Sequence, residues 1–220
     1  MTRSCAAALA GGLALAACTD PAIPDRGGVY SFADTSIVGV DTTVYLFHWP
    51  VARMPVRFWA DPRGNMRFLV ERAVGVWQDQ FLYGELRGVV VNDSGSADVL
   101  VRWTDSVPPD VPPDTTPAPN ACGGVTTFDY DSTGLGLAGP VHVSMTVLTG
   151  GPPASPAQVQ ACMRRVAIHE LGHAVGLLRH SPFDEDIMYG SPIVDYPSRF
   201  DRRSAEVLYH STSTIGPPPP

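Results

Sequence analysis

Residues 169–180 read His-Glu-Leu-Gly-His-Ala-Val-Gly-Leu-Leu-Arg-His. No other stretch constrains the fold as strongly, because its donors meet only if one helix stops in a turn that brings a third imidazole back onto the first two. At about 100° per residue, His169 and His173 stand about 40° apart on one helical face, so both can reach one metal ion. Glu170 falls about 60° from His173, beside the pair, where a carboxylate reaches metal-bound water without replacing it. Gly176 lets the chain leave the helix through a conformation that a Cβ would penalise, and His180 can then return as a third nitrogen donor. Three protein ligands leave one position of a tetrahedral site open, which distinguishes a working centre from a closed structural one.

The run HExxHxxG, followed by His180-Ser181 and Asp186-Ile187-Met188-Tyr189, resembles the metzincin metallopeptidases and, within them, the matrixin-like branch. That resemblance implies Zn2+ on His169, His173 and His180, Glu170 as the catalytic carboxylate, and Met188 in a turn beneath the metal. It departs from the usual HExxHxxGxxH in one respect: the expected ligand position holds Arg179, which has no free lone pair. A turn one residue longer keeps His180 in reach. Position 190 is glycine, so the tyrosine ligand of some metzincins is absent.

The fold that the resemblance implies is α+β, a twisted, mixed and mostly parallel sheet with the active-site helix and a small C-terminal subdomain, over roughly residues 50–212. It also implies a protein or peptide substrate lying along the strand that begins at Gly123, with the wall Gly190 to Tyr196 opposite. Glu170 would take a proton from zinc-bound water and return it to the leaving amine. The same residues fit two other readings: a surface lipoprotein that uses a metzincin shell to bind peptide without cutting it, and a zinc amidase of cell-wall peptide. Asp129, Asp131 and the glycines that follow offer a Ca2+ loop of the kind matrixins often carry. They are too sparse for an EF-hand and read first as a plain turn. His48, His142 and His210 read as structural or solvated, and Asp184, Glu185 and Asp186 as caps on the methionine turn.

Arg3 followed by the apolar run Ala6 to Ala17 predicts a secretory signal over residues 1–17, too short to span a bilayer. Its end, Leu15-Ala16-Ala17-Cys18, resembles the bacterial lipoprotein box, which implies acylation of Cys18, a membrane anchor, and an exported or secreted location. Cys5 leaves with the leader, so Cys122 and Cys162 remain, and in an oxidising compartment two leftover cysteines suggest one disulfide. A formal charge of −7 with scattered arginines argues against nucleic acid as a partner. The length and the 44% hydrophobic content suit one compact domain, expected to be a monomer.

Residues 18–49 read as tether and N-terminal extension, and 213–220 as a stiff proline-rich tail. Early strands are expected between Ile37 and Phe47 and from Pro55 to Trp59. Asp61-Pro62 resembles a helix start, with Phe68, Ala73, Val76, Trp77 and Phe81 as its core stripe. Leu86–Val91 and Ala97–Trp103 read as strands separated by the turn Asn92-Asp93-Ser94-Gly95. Val107 to Pro119 is proline rich and predicts an exposed, extended loop. Gly123–Tyr130 and Val141–Leu148 are further strands. Ser155-Pro156 marks the start of the zinc helix, expected to run to about Leu178, and a last helix is expected from Ser198 to His210.

Overall fold

Alternating burial on β3 (Val56–Ala60) and β7 (Val141–Val147) sets one apolar face against two helices, and that face is the floor of the molecule. The computed structural model describes residues 28–38, 41–105, 122–147 and 154–219. The expected signal peptide, the lipid site Cys18 and the proline-rich loop from Val107 lie outside the described residues. Before β3, strands β1 (Asp34–Val38) and β2 (Asp41–Tyr45) form an antiparallel pair of their own.

The main sheet adds β4 (Gly88–Val91), β5 (Val99–Trp103) and β6 (Cys122–Thr127), in the order β4-β3-β5-β7-β6. Every pairing is parallel except β6 with β7, so the fold is α+β around a mixed, mostly parallel sheet. Helix α1 (Met66–Gln78) packs over β3 and β4, and α2 (Pro156–Ala174) over β6 and β7. The helices also pack against each other, and α3 (Arg199–Tyr209) follows the segment that carries His180 and Met188. Val56, Phe58, Val99, Val101, Val143 and Met145 meet Leu69, Ala73, Trp77, Ala167 and Leu171 in the core. Two indoles fasten α2: Trp77 donates to the Ile168 carbonyl at 2.7 Å and Trp49 to that of Ala174 at 2.9 Å. Among the described residues no helix is long and apolar enough to cross a membrane.

The structure differs from the sequence expectations at several boundaries, each for a local reason. Helix α1 starts at Met66 and not at Asp61, because the Asp61 carboxylate accepts from the Arg63 backbone and guanidinium and closes a turn there, and Gly64 then takes φ +58°. Phe68 is exposed, so it is not part of the stripe. The turn at 92–95 separates β4 from β5 as expected, but the two strands are not neighbours in the sheet. Instead, β3 lies between β4 and β5, and the connection carries the buried Asp98 to the side of β3, where it accepts from the Arg57 backbone, Arg57 side chain and Arg53.

The expected domain limits of 50 and 212 are too narrow. Tyr30, Phe47, Trp49 and Ile215 are all buried in the core, and the Thr214 and Ile215 amides donate to the Leu46 carbonyl. Large apolar side chains near both ends of the domain had more area to bury than a tether or tail can use. Cys122 and Cys162 stand at disulfide-bonding distance, with Cα atoms 6.0 Å apart, tying the start of β6 to α2.

Candidate metal centre

Helix α2 is set by a capping box at Ser155 and Gln158, with Pro156 at its first position. It carries His169, Glu170 and His173 in its last two turns and ends at Ala174, four residues before the expected Leu178. Gly176 makes the exit with φ +120°, and a Cβ there would collide with the Phe47 carbonyl oxygen. The chain then turns so that His180 stacks against His169 at a centroid separation of 5.2 Å and meets His173 at 5.0 Å. The candidate ligand atoms of His169, His173 and His180 all lie within 4.8 Å of one another, a group that can hold a metal ion.

The hydrogen bonds of the first two rings fix what they offer. His169 Nδ1 lies 2.7 Å from the Ile187 carbonyl, and His173 Nδ1 lies 2.6 Å from that of Leu177. A carbonyl only accepts, so each Nδ1 carries a proton and each neutral ring keeps its Nε2 lone pair. Those two Nε2 atoms face each other at 3.2 Å. Protonating one would relieve the repulsion, but burial holds His169 down at about 3 and His173 well below the ordinary histidine value, with the neighbouring imidazoles adding to the effect. Burial lowers His180 as well. Three neutral imidazoles converging on one point fit a borderline cation such as Zn2+.

Glu170 is buried beside them, and burial pushes its carboxyl up to about 7. Edge strand β6 makes its seat. Thr126 donates from Oγ1 to Glu170 Oε2 at 2.7 Å, and two residues earlier Gly124 leaves room that a Cβ would take, 2.6 Å from Glu170 Cγ. Met188 is fully buried and packs against α2 at Gly172, and its carbonyl accepts from the Ser181 amide at 2.8 Å. Asp186 accepts from the hydroxyls of Ser181 and Ser198, so it joins the methionine turn to α3. Asp201 accepts from the Ile187 amide at 2.8 Å, the Met188 amide at 3.3 Å and the Tyr30 hydroxyl at 2.8 Å.

Thr126, Asp201 and Tyr30 were not among the residues singled out from sequence. Asp201 had a signal, the Ser198-x-x-Asp201 spacing of a capping box, which is formed. The histidines outside the motif are engaged elsewhere: His48 with the Ser211 carbonyl at 2.9 Å, His142 near Asp129 at 3.6 Å, His210 near Glu85 at 3.3 Å. The Asp131 carboxylate is taken by Thr133, closing a turn. The segment 190–196 is fastened to α1 by Arg72 on Tyr196 Oη at 2.8 Å and to α2 by Arg165 on Asp195 at 3.1 Å. An open cavity of about 590 Å³ includes His180, Arg179, Phe183 and Tyr30 in its wall. In comparisons with known proteins, no family model and no curated protein matches this chain.

Proposed function

We propose that the chain is a zinc-dependent endopeptidase of matrixin-like metzincin type, exported and anchored through Cys18, that hydrolyses peptide bonds outside the cytoplasm. The observation that carries this reading is the trio of neutral imidazoles with a buried carboxyl next to it in sequence and in space. A zinc ion bound there would supply Lewis acidity, polarising a peptide carbonyl and acidifying water at its open position.

The protein's own groups account for the rest. Ile187 and Leu177 hold the tautomers of His169 and His173, so that both Nε2 atoms point inward. Glu170, buried beside the imidazoles and held by Thr126, is placed to exchange a proton with water at the open position, first accepting and then donating it. Thr126 occupies Oε2, which leaves Oε1 for that exchange. Strand β6 is a sheet edge, and an extended peptide can add to it as a further strand.

The test is metal content together with cleavage of a mixed peptide library, with and without chelator, on the wild type and Glu170→Ala. A peptidase loses turnover in the variant and keeps its metal. Equal cleavage by both proteins, or no metal in either, would refute the proposal.

A further inference from the structure

The segment 28–34 reaches both loops that complete the metal site. Tyr30 is buried, and its hydroxyl donates to Asp201 at 2.8 Å, while its amide lies 3.3 Å from Ser204 Oγ on α3. Asp201 in turn accepts from the Ile187 amide, and the Ile187 carbonyl accepts from His169 Nδ1 at 2.7 Å. Tyr30 is therefore two residues removed, by continuous hydrogen bonds, from the first ligand.

The other contacts of this segment run to the third ligand. The Phe32 carbonyl accepts from the Leu178 amide at 2.9 Å, and Asp34 lies 3.5 Å from Arg179 Nε, next to His180. His180 is the exposed member of the trio and sits on a turn. A ligand on such a turn loses conformational entropy when it binds metal, unless the turn is already held. Among the described residues, the bonds that hold the stretch from Gly176 to His180 include Gly176 to His173, Leu177 to Gly172, His173 to the Leu177 carbonyl, and those from Phe32 and Asp34.

We infer that residues 28–34 are a clamp on the metal centre, with Tyr30 a positioning residue for His169 and the Phe32 to Asp34 stretch a brace for the turn bearing His180. The inference rests on the reading of His169, His173 and His180 as metal ligands. It makes the site depend on a part of the chain well ahead of the ligand helix, between the proposed lipid anchor and the sheet.

Co2+ alone is the probe, titrated into the full chain after chelation, with affinity read by chelator competition and ligand geometry by the visible absorption bands. Tyr30→Phe removes one hydroxyl and is expected to weaken Co2+ about tenfold and to shift the bands. The exposed hairpin control Val44→Ala is expected to do neither. Arg179→Gln, a change at an exposed side chain that should leave the fold intact, should weaken Co2+ a few-fold, and it decides the matter if Tyr30→Phe does not fold. Wild-type affinity and bands in both Tyr30→Phe and Arg179→Gln, or in Arg179→Gln alone should the other not fold, would overturn the clamp and leave the metal centre standing. A wild type that binds no Co2+ would instead overturn the metal centre, and the clamp with it.

Discussion

Thr126 on the edge strand donates its hydroxyl to Glu170 Oε2 at 2.7 Å, so the carboxyl beside the three imidazoles is held from the sheet and not from its own helix. Its backbone lies close too, since the same hydroxyl is 3.0 Å from the Glu170 carbonyl. One hydrogen cannot serve both acceptors at once. The carboxylate oxygen is the closer and, when ionised, the stronger.

Replacing Thr126 by Val keeps the shape and deletes the donor. A lost hydrogen bond to a charged group is worth about 1.5–3 kcal/mol, so kcat should fall by roughly ten- to a hundredfold. KM and metal content should hold, and Thr126→Ser should recover most of the rate. Steady-state kinetics on the three proteins would show it, and an unchanged kcat in Thr126→Val would remove Thr126 from the site.

Burial moves Glu170 and His169 in opposite senses, which gives the chelated protein a defined pH response. Glu170 titrates at about 7 against a reference of 4.5, so it binds its proton more tightly when folded, and stability is lost as pH rises from 4.5 through 7. His169, at about 3 against 6.5, acts oppositely, with stability lost as pH falls from 6.5 through 3. Glu170→Gln removes the first effect. The variant should gain on the wild type between pH 5 and pH 8, by at most about 3 kcal/mol. Urea midpoints at the two pH values measure the gain, and an equal difference at both would contradict the buried carboxyl.

Cys122 and Cys162 are 40 residues apart in sequence, and their bond closes a loop that the unfolded chain would otherwise explore freely. Cys122→Ser with Cys162→Ser should destabilise the protein by about 2–4 kcal/mol. The strand tied in this way is the one that carries Gly124 and Thr126 to Glu170. Activity of the double variant at a temperature where it is still folded should therefore fall as well. Denaturation with and without reductant, alongside an activity assay, separates the two effects, and wild-type stability in the double variant would exclude the bond.

The grouping of His169, Glu170 and His173 was legible because helical geometry is local: residues 169, 170 and 173 share a face whatever the rest of the chain does. The mostly parallel sheet was expected from the family resemblance, and its period-2 burial agrees with the strand patterns around Val56 and Val141. Long-range pairing was not legible. Nothing near residues 92–95 says that β3 will sit between β4 and β5, although the turn signal there marks the break between those strands. Thr126 reads as one more β-branched strand residue until α2 is laid across it. Tyr30 sits in a segment that looks like linker, and its partner Asp201 is 171 residues away.

The end of α2 offers the sharpest single substitution. Gly176 holds φ +120°, where side-chain-bearing residues are strained by about 1–3 kcal/mol, and an added methyl would also meet the Phe47 carbonyl and Leu208 Cδ2, the latter at 2.9 Å. Phe47 is fully buried, so it has little room to retreat. The strain falls on the turn between His173 and His180, and the next residue, Leu177, supplies the carbonyl that fixes the His173 tautomer. Gly176→Ala should therefore lower both stability and metal affinity, whereas Gly139→Ala, with open space around its Cβ position, should lower neither. Thermal melts with and without added Zn2+ distinguish them. If Gly176→Ala keeps the full zinc-dependent rise in Tm, the turn is not what brings His180 to the other two ligands.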